Sequence, residues 1–166
     1  MLLVEPRSKG SMPEYMALKI QAKLEMSKDK KELQHVRDEK NLMFAMNSRF
    51  LVGCVDYFAD KKNIYFALEL CNAGEMWSII QQQKKKRIPN KLCQFWLAQV
   101  LLAFEYMHNL DVCYRDLKPE NLLVDFAGNV RLTDFGFAKR VTEISWTMCG
   151  TPDYMYVCNH ITLHLF

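Results

Sequence analysis

CYRDLKPENLL, residues 113–123, places a carboxylate, an ammonium and an amide at i, i+2 and i+5: Asp116, Lys118 and Asn121. Pro119 lies between the last two, and a proline both lacks the amide donor and clashes with the preceding turn, so the stretch is not a helix interior. An extended or turning loop can aim all three side chains at one point. An acidic group, a fixed positive charge and a neutral oxygen donor suit the movement of a phosphoryl group onto a hydroxyl.

Downstream, NLLVDFAGNVRLTDFG reads as a strand, a turn at Ala127-Gly128-Asn129 and a second strand ending at Asp134-Phe135-Gly136. Asp134 is a second carboxylate, which a short hairpin can bring beside the first loop, and Gly136 lets the backbone turn sharply. Asp134 and Asn121 together offer hard oxygen ligands for magnesium, an ion that prefers one or two protein oxygens with phosphate and water.

Upstream, YMALKI (15–20) reads as a short strand. Residues 28–47 read as an amphipathic helix with Leu33, Val36, Met43 and Met46 near one face. Residues 50–58 and 63–71 read as strands joined by the polar turn Asp60-Lys61-Lys62. The pattern breaks at CNAGE (71–75), and a helix is expected from Glu75 to Gln83. A longer helix follows from Pro89-Asn90 to about His108, with Leu97, Leu101, Phe104 and His108 on one stripe and Trp96, Val100 and Leu102 widening it.

The bulk numbers exclude several classes. With 166 residues, half apolar and a quarter charged, the chain has an ordinary globular composition with room for one domain or two small lobes. A net charge of +3 does not argue for nucleic acid. The basic run Lys84–Arg87 reads as an exposed loop between helices, in preference to a nuclear import signal or nucleic-acid patch. The six cysteines form no CxxC pair, so neither zinc nor a disulfide framework is expected. The four-residue apolar start before Glu5 and Pro6 is not a signal peptide. FWLAQVLLAF (95–104) is about half a bilayer span, so no membrane segment is expected.

YRDLKPENLL, LTDFGFAKR (132–140) and WTMCGTPDY (146–154) together resemble the eukaryotic protein kinases of the AGC group, and within it the cAMP-dependent type. Tyr114 in place of the usual His, FAKR after Gly136 and AGEM at 73–76 favour that group. The resemblance implies an α+β, two-lobe kinase fold with a small strand-rich lobe and an incomplete helical lobe. Residues 1–70 would be a partial first lobe, 71–155 the hinge and the first part of the second, and 156–166 an unrelated tail. It implies ATP and Mg2+ as cofactors and protein substrates carrying Ser or Thr near basic residues. A regulatory subunit is a further implied partner, its docking surface largely missing. The location expected from the cysteine usage, with reduced thiols, is the cytoplasm or the nucleus.

By the same resemblance Asp116 is the catalytic base, Lys118 neutralises charge on the transferring phosphoryl, and Asn121 and Asp134 hold magnesium. Lys19 holds the ATP phosphates and pairs with Glu39, with Asp38 as the alternative. Glu69 to Cys71 form the hinge that reads adenine, Ala17 and Leu123 sandwich the base, and Glu75 contacts ribose. Glu75 and Glu120 receive a substrate arginine, since carboxylates bond strongly to guanidinium. Thr147 is a phosphosite whose phosphate would attract Arg115 and His35, and Thr151 braces the catalytic loop. Met43, Cys54, Tyr114 and Phe135 would stack as an apolar spine.

Two departures accompany the resemblance. No GxGxxG is formed by the six glycines, and Tyr156-Val157-Cys158 stands where an APE motif belongs. The sequence therefore reads as a kinase truncated at both ends, with little or no activity of its own. The alternative is a non-catalytic fragment that acts as an interaction or weak nucleotide-binding module. Loss of the remaining helices would leave an apolar face open to water.

Overall fold

The computed structural model describes residues 1–6, 13–26 and 30–141. In chain order the elements are β1 (Leu2–Val4), β2 (Met16–Ala22), α1 (Lys23–Met26), α2 (Lys30–Ala45), β3 (Cys54–Ala59), β4 (Asn63–Glu69), β5 (Gly74–Glu75), α3 (Met76–Gln82), α4 (Asn90–His108), β6 (Val112–Cys113), β7 (Leu122–Val124), β8 (Val130–Leu132) and β9 (Lys139–Arg140). A single 3-10 turn, Pro119–Asn121, leads into β7.

Ile64, Phe66 and Leu68 alternate along β4 and are buried, as a strand with one face on the core requires. That strand is internal in an antiparallel sheet of order β1-β2-β4-β3. The hairpin turn before it closes as the sequence suggests: Asp60 Oδ1 accepts the Lys62 and Asn63 amides at 2.7 and 2.6 Å. A second sheet, β5-β7-β8, carries the quoted loop into the next hairpin. Gly128, at φ +81°, takes the left-handed turn position there, where a side chain would be strained.

Among the described residues the buried positions on α2 are Val36, Glu39, Leu42 and Met43, and Met46 is buried just past its end. A carboxylate thus sits inside the apolar stripe and requires a partner there.

Three expectations need correction. Residues 50–53 do not extend β3; Leu51 and Val52 are buried, but the segment bonds to β8 instead, with Leu132 N–H donating to Phe50 O at 2.8 Å and Val52 N–H to Leu132 O at 2.9 Å. The strand expected over 63–71 stops at Glu69. On α4 the buried face is Trp96, Gln99, Val100, Ala103, Phe104 and Met107, whereas Leu97, Leu101 and Leu102 are exposed. The helix is apolar around most of its circumference, so period alone does not choose a face. Polar anchors choose it: Trp96 Nε1–H donates to Gly128 O at 3.0 Å, Gln99 Nε2 donates to Asn129 Oδ1 at 2.9 Å, and Gln99 Oε1 accepts the Val130 amide at 2.7 Å.

Candidate active site

Lys19 sits mid-strand on β2, with Phe66 of β4 opposite in register. Its Nζ lies 2.7 Å from Glu39 Oε1 and 3.0 Å from Asp134 Oδ1. One ammonium therefore joins the first sheet, the α2 helix and the segment after β8. Burial pushes the Lys19 pKa down, but the two carboxylates outweigh it and hold the group above its ordinary value. Glu39 is the partner that the sequence left open: Asp38 is exposed and accepts a bond from Gln34 Nε2 at 2.8 Å.

Asp116 is 3% exposed. Its Oδ2 accepts Lys118 Nζ and Asn121 Nδ2, both at 2.8 Å, and its backbone carbonyl accepts the same amide nitrogen at 2.9 Å. Pro119 opens the 3-10 turn that folds the loop back and makes this closure possible. The hairpin then returns the chain: Thr133 N–H donates to Asn121 O at 3.0 Å, and Tyr114 OH donates to Thr133 O. Phe135 packs edge-on to Tyr114, with ring centroids 5.8 Å apart. Arg115 and Asp134, the residues beside these anchors, both adopt left-handed backbone at φ 69° and 59°. Such conformations are sparsely populated for residues with a side chain and persist where the surroundings over-determine them.

Between the two sheets lies a cleft of about 280 Å³. Lys19, Glu39, Asn121, Asp134, Glu75 and Glu120 contribute its polar lining, and Leu68 and Leu123 are among its apolar walls. Asp116 is not among the lining residues; Lys118 and Asn121 take up its carboxylate. Ala17 does not line the cleft either. It is half-buried and pairs in register with Leu68, which does. Glu69 and Cys71 also lie off the lining. The Glu69 carboxylate turns to Arg131 at 2.6 Å, and burial raises the Cys71 thiol to about 11. Glu120 Oε2 is buried without a hydrogen-bond partner among the described residues. His35 is exposed on α2. Arg115 Nε donates to Phe137 O at 2.8 Å, and its Nη1 is buried with no described partner. Thr147 and Thr151 lie outside the described residues. Met43 and Phe135 are buried, and Cys54 packs against the same core.

Sequence reasoning missed Leu68, Thr133 and Arg131. The signal for Arg131 was present in the Val-Arg-Leu alternation of β8, which puts its side chain opposite two buried ones.

Residues 8–156 match the protein kinase domain. This chain belongs to the protein kinase family. The kinase chain is 41% identical over 141 residues to a cAMP-dependent protein kinase catalytic subunit of Arthrobotrys oligospora, covering 85% of this chain and 27% of that one. It is 39% identical over 125 residues to cAMP-dependent protein kinase type 3 of Saccharomyces cerevisiae, covering 75% and 31%. Against cGMP-dependent protein kinase 2 of Homo sapiens it is 43% identical over 129 residues, covering 76% and 17%. The chain thus spans less than a third of the length of these curated relatives. Its strand-rich sheet with α2, followed by α3, α4 and the second sheet, is a partial two-lobe kinase fold, as the resemblance implied.

Protein kinases use ATP with magnesium and act on protein substrates. The donor set here fits such a metal. Asp134 is half-exposed at the cleft. Asn121 spends its amide nitrogen on Asp116, which leaves its Oδ1 without a described hydrogen bond on a residue that lines the cleft. Among the described residues no cluster of three or more His, Cys, Asp or Glu makes a self-sufficient cage. Two protein oxygens completed by phosphate and water are what magnesium prefers. No helix among the described residues is long and apolar enough to cross a membrane.

Proposed function

We propose that this chain carries the nucleotide and catalytic-loop portion of a cAMP-dependent-type serine/threonine kinase, which directs the ATP γ-phosphoryl to a Ser or Thr hydroxyl near basic residues. The observation that carries the proposal is the Lys19 ammonium held between Glu39 and Asp134 at the edge of a cleft that Asn121 also lines. Bound ATP would supply the transferable group, and magnesium would offset the charge on its phosphates. Lys19, kept cationic by its two carboxylates, holds the phosphates. Asn121 and Asp134 would supply protein oxygens to a magnesium ion. The Asp116 carboxylate, fixed by Lys118 and Asn121, orients the substrate hydroxyl and takes its proton. Glu75 and Glu120 are acidic positions for a substrate guanidinium, and Glu120 Oε2, without a hydrogen-bond partner among the described residues, supports that role.

Positioning and preorganised charge supply nearly all of phosphoryl-transfer catalysis, and a glycine-rich cover over the phosphates is part of both. This sequence contains no GxGxxG. The proposal therefore predicts magnesium-dependent ATP binding with slow phosphotransfer. Calorimetry should find ATP binding that requires magnesium in the wild type and loses that requirement in Asp134→Asn. A radiolabelled assay should give transfer above that of Asp116→Asn; equal signals from both would remove the enzyme claim. In that event the chain would be a nucleotide-binding interaction module, a reading favoured by the exposed Phe95, Leu97, Leu101 and Leu102 on α4.

A further inference from the structure

Glu75, Leu123 and Arg131 stand directly opposite one another across β5, β7 and β8. Opposed residues in antiparallel strands project to the same face, so the three form one row. Glu75 and Leu123 line the cleft. Arg131 continues the row and leaves the sheet. Its Nη1 donates to Glu69 Oε2 at 2.6 Å, and its Nε lies 3.8 Å from Asp125 Oδ2.

Glu69 is the last residue of β4, from which the chain crosses through 70–73 to β5. The same Oε2 accepts the Gly53 amide at 3.2 Å, while Glu69 N–H donates to Gly53 O at 3.0 Å. Val52 N–H in turn donates to Leu132 O on β8, next to Arg131. These bonds close a ring from the β8 side chain to the end of β4, to residues 52–53 and back to the β8 backbone. The ring is tight: a Cβ added at Gly53 would lie 3.1 Å from Glu69 Cδ.

We infer that Arg131 is a positioning residue for the nucleotide site. By holding Glu69 it sets where β4 hands the chain to residues 70–73. It thereby sets the spacing between Leu68 of the larger sheet and Leu123 of the smaller one. The inference rests on the cleft being a nucleotide site, as proposed above. An ordinary ion pair this exposed, with side chains 27% and 43% accessible, contributes little by itself. What lifts this one is that its acceptor oxygen is shared with a backbone amide of a third segment.

Hydrogen exchange on the whole chain, with magnesium-dependent binding of a fluorescent ADP measured alongside, tests it. Arg131→Gln should speed amide exchange at 69–73 by about threefold to tenfold and weaken ADP by a similar factor. Exchange in α4 and β7 should stay as in the wild type. Arg131→Lys should fall between, and Arg131→Gln with Glu69→Gln should be no worse than either alone. Unchanged exchange at 69–73 overturns the inference whatever happens to ADP. Acceleration spread evenly over α4 and β7 also overturns it, because the role would then be general stability. Local acceleration in a chain whose wild type binds no ADP supports Arg131 as the anchor of 70–73 and overturns the nucleotide-site reading instead.

Discussion

Glu39 is a carboxylate with a side chain only 4% exposed, in a helix stripe otherwise made of Val36, Leu42 and Met43. Removing its partner leaves a buried charge uncompensated, whereas removing both leaves an apolar contact. Lys19→Met should therefore lower stability by about 1–3 kcal/mol, as for a buried group that loses its bond. The double variant Lys19→Met with Glu39→Leu should recover most of that loss. Urea midpoints of the wild type, Lys19→Met, Glu39→Leu and the double variant check this, and additive losses in the double variant would rule the account out. The local set Asp116, Lys118 and Asn121 was legible in the sequence because six consecutive positions and a proline confine it. The Lys19 to Glu39 pairing was only partly legible. Two acidic residues stood side by side at 38 and 39, and it took the helix facing to separate them.

The longest helix shows how an element can be placed correctly and faced wrongly. Its bounds, Asn90–His108, agree with the sequence reading, yet Leu97, Leu101 and Leu102 stand outside. Leucine at three exposed positions erased the amphipathic contrast. The decisive residues were the polar ones, Gln99 and the Trp96 indole, whose partners lie about thirty positions away on the β7–β8 turn. Replacing Gln99 with Leu should orphan the Val130 amide and cost about 1–3 kcal/mol. Met107→Ala should cost about 2–5 kcal/mol through the cavity it leaves. Leu101→Ser should stay within about 0.5 kcal/mol, as surface changes do. Chemical denaturation ranks the three, and a large loss at Leu101 would reverse the facing. The same helix ends in His108, which stacks on Phe104 at 5.9 Å and whose pKa burial lowers. A histidine depressed in the folded state contributes stability that is complete above its unfolded value of 6.5 and declines as pH falls below that value through the folded pKa. Between pH 7 and 5 the wild type should lose stability that a His108→Gln variant does not.

At the scale of the molecule, Phe95, Leu97, Leu101 and Leu102 are exposed on the side of α4 away from the core, and Phe126 is exposed on the β7–β8 turn. Several exposed large apolar side chains on one side of a helix favour association. Sedimentation should show self-association of the isolated chain above micromolar concentration. Leu97→Lys with Leu101→Glu should reduce it without moving the denaturation midpoint. A monomer at all concentrations would refute that expectation. The sequence reading anticipated an open apolar face but did not locate it, since which leucines stay wet depends on what the opposite side of the helix packs against.

By itself the sequence determined the kinase family, the order of its longer elements and the identity of the polar groups. Those follow from motifs and periods that operate over a few residues, where chain geometry leaves little freedom. Only the tertiary structure decided that Glu39 and not Asp38 meets Lys19, that Asp134 reaches the same ammonium across 115 positions, and that Arg131 grips the end of β4. Each of those contacts depends on how two sheets and a helix pack, and a buried charge accepts only the partner that packing brings within bonding distance.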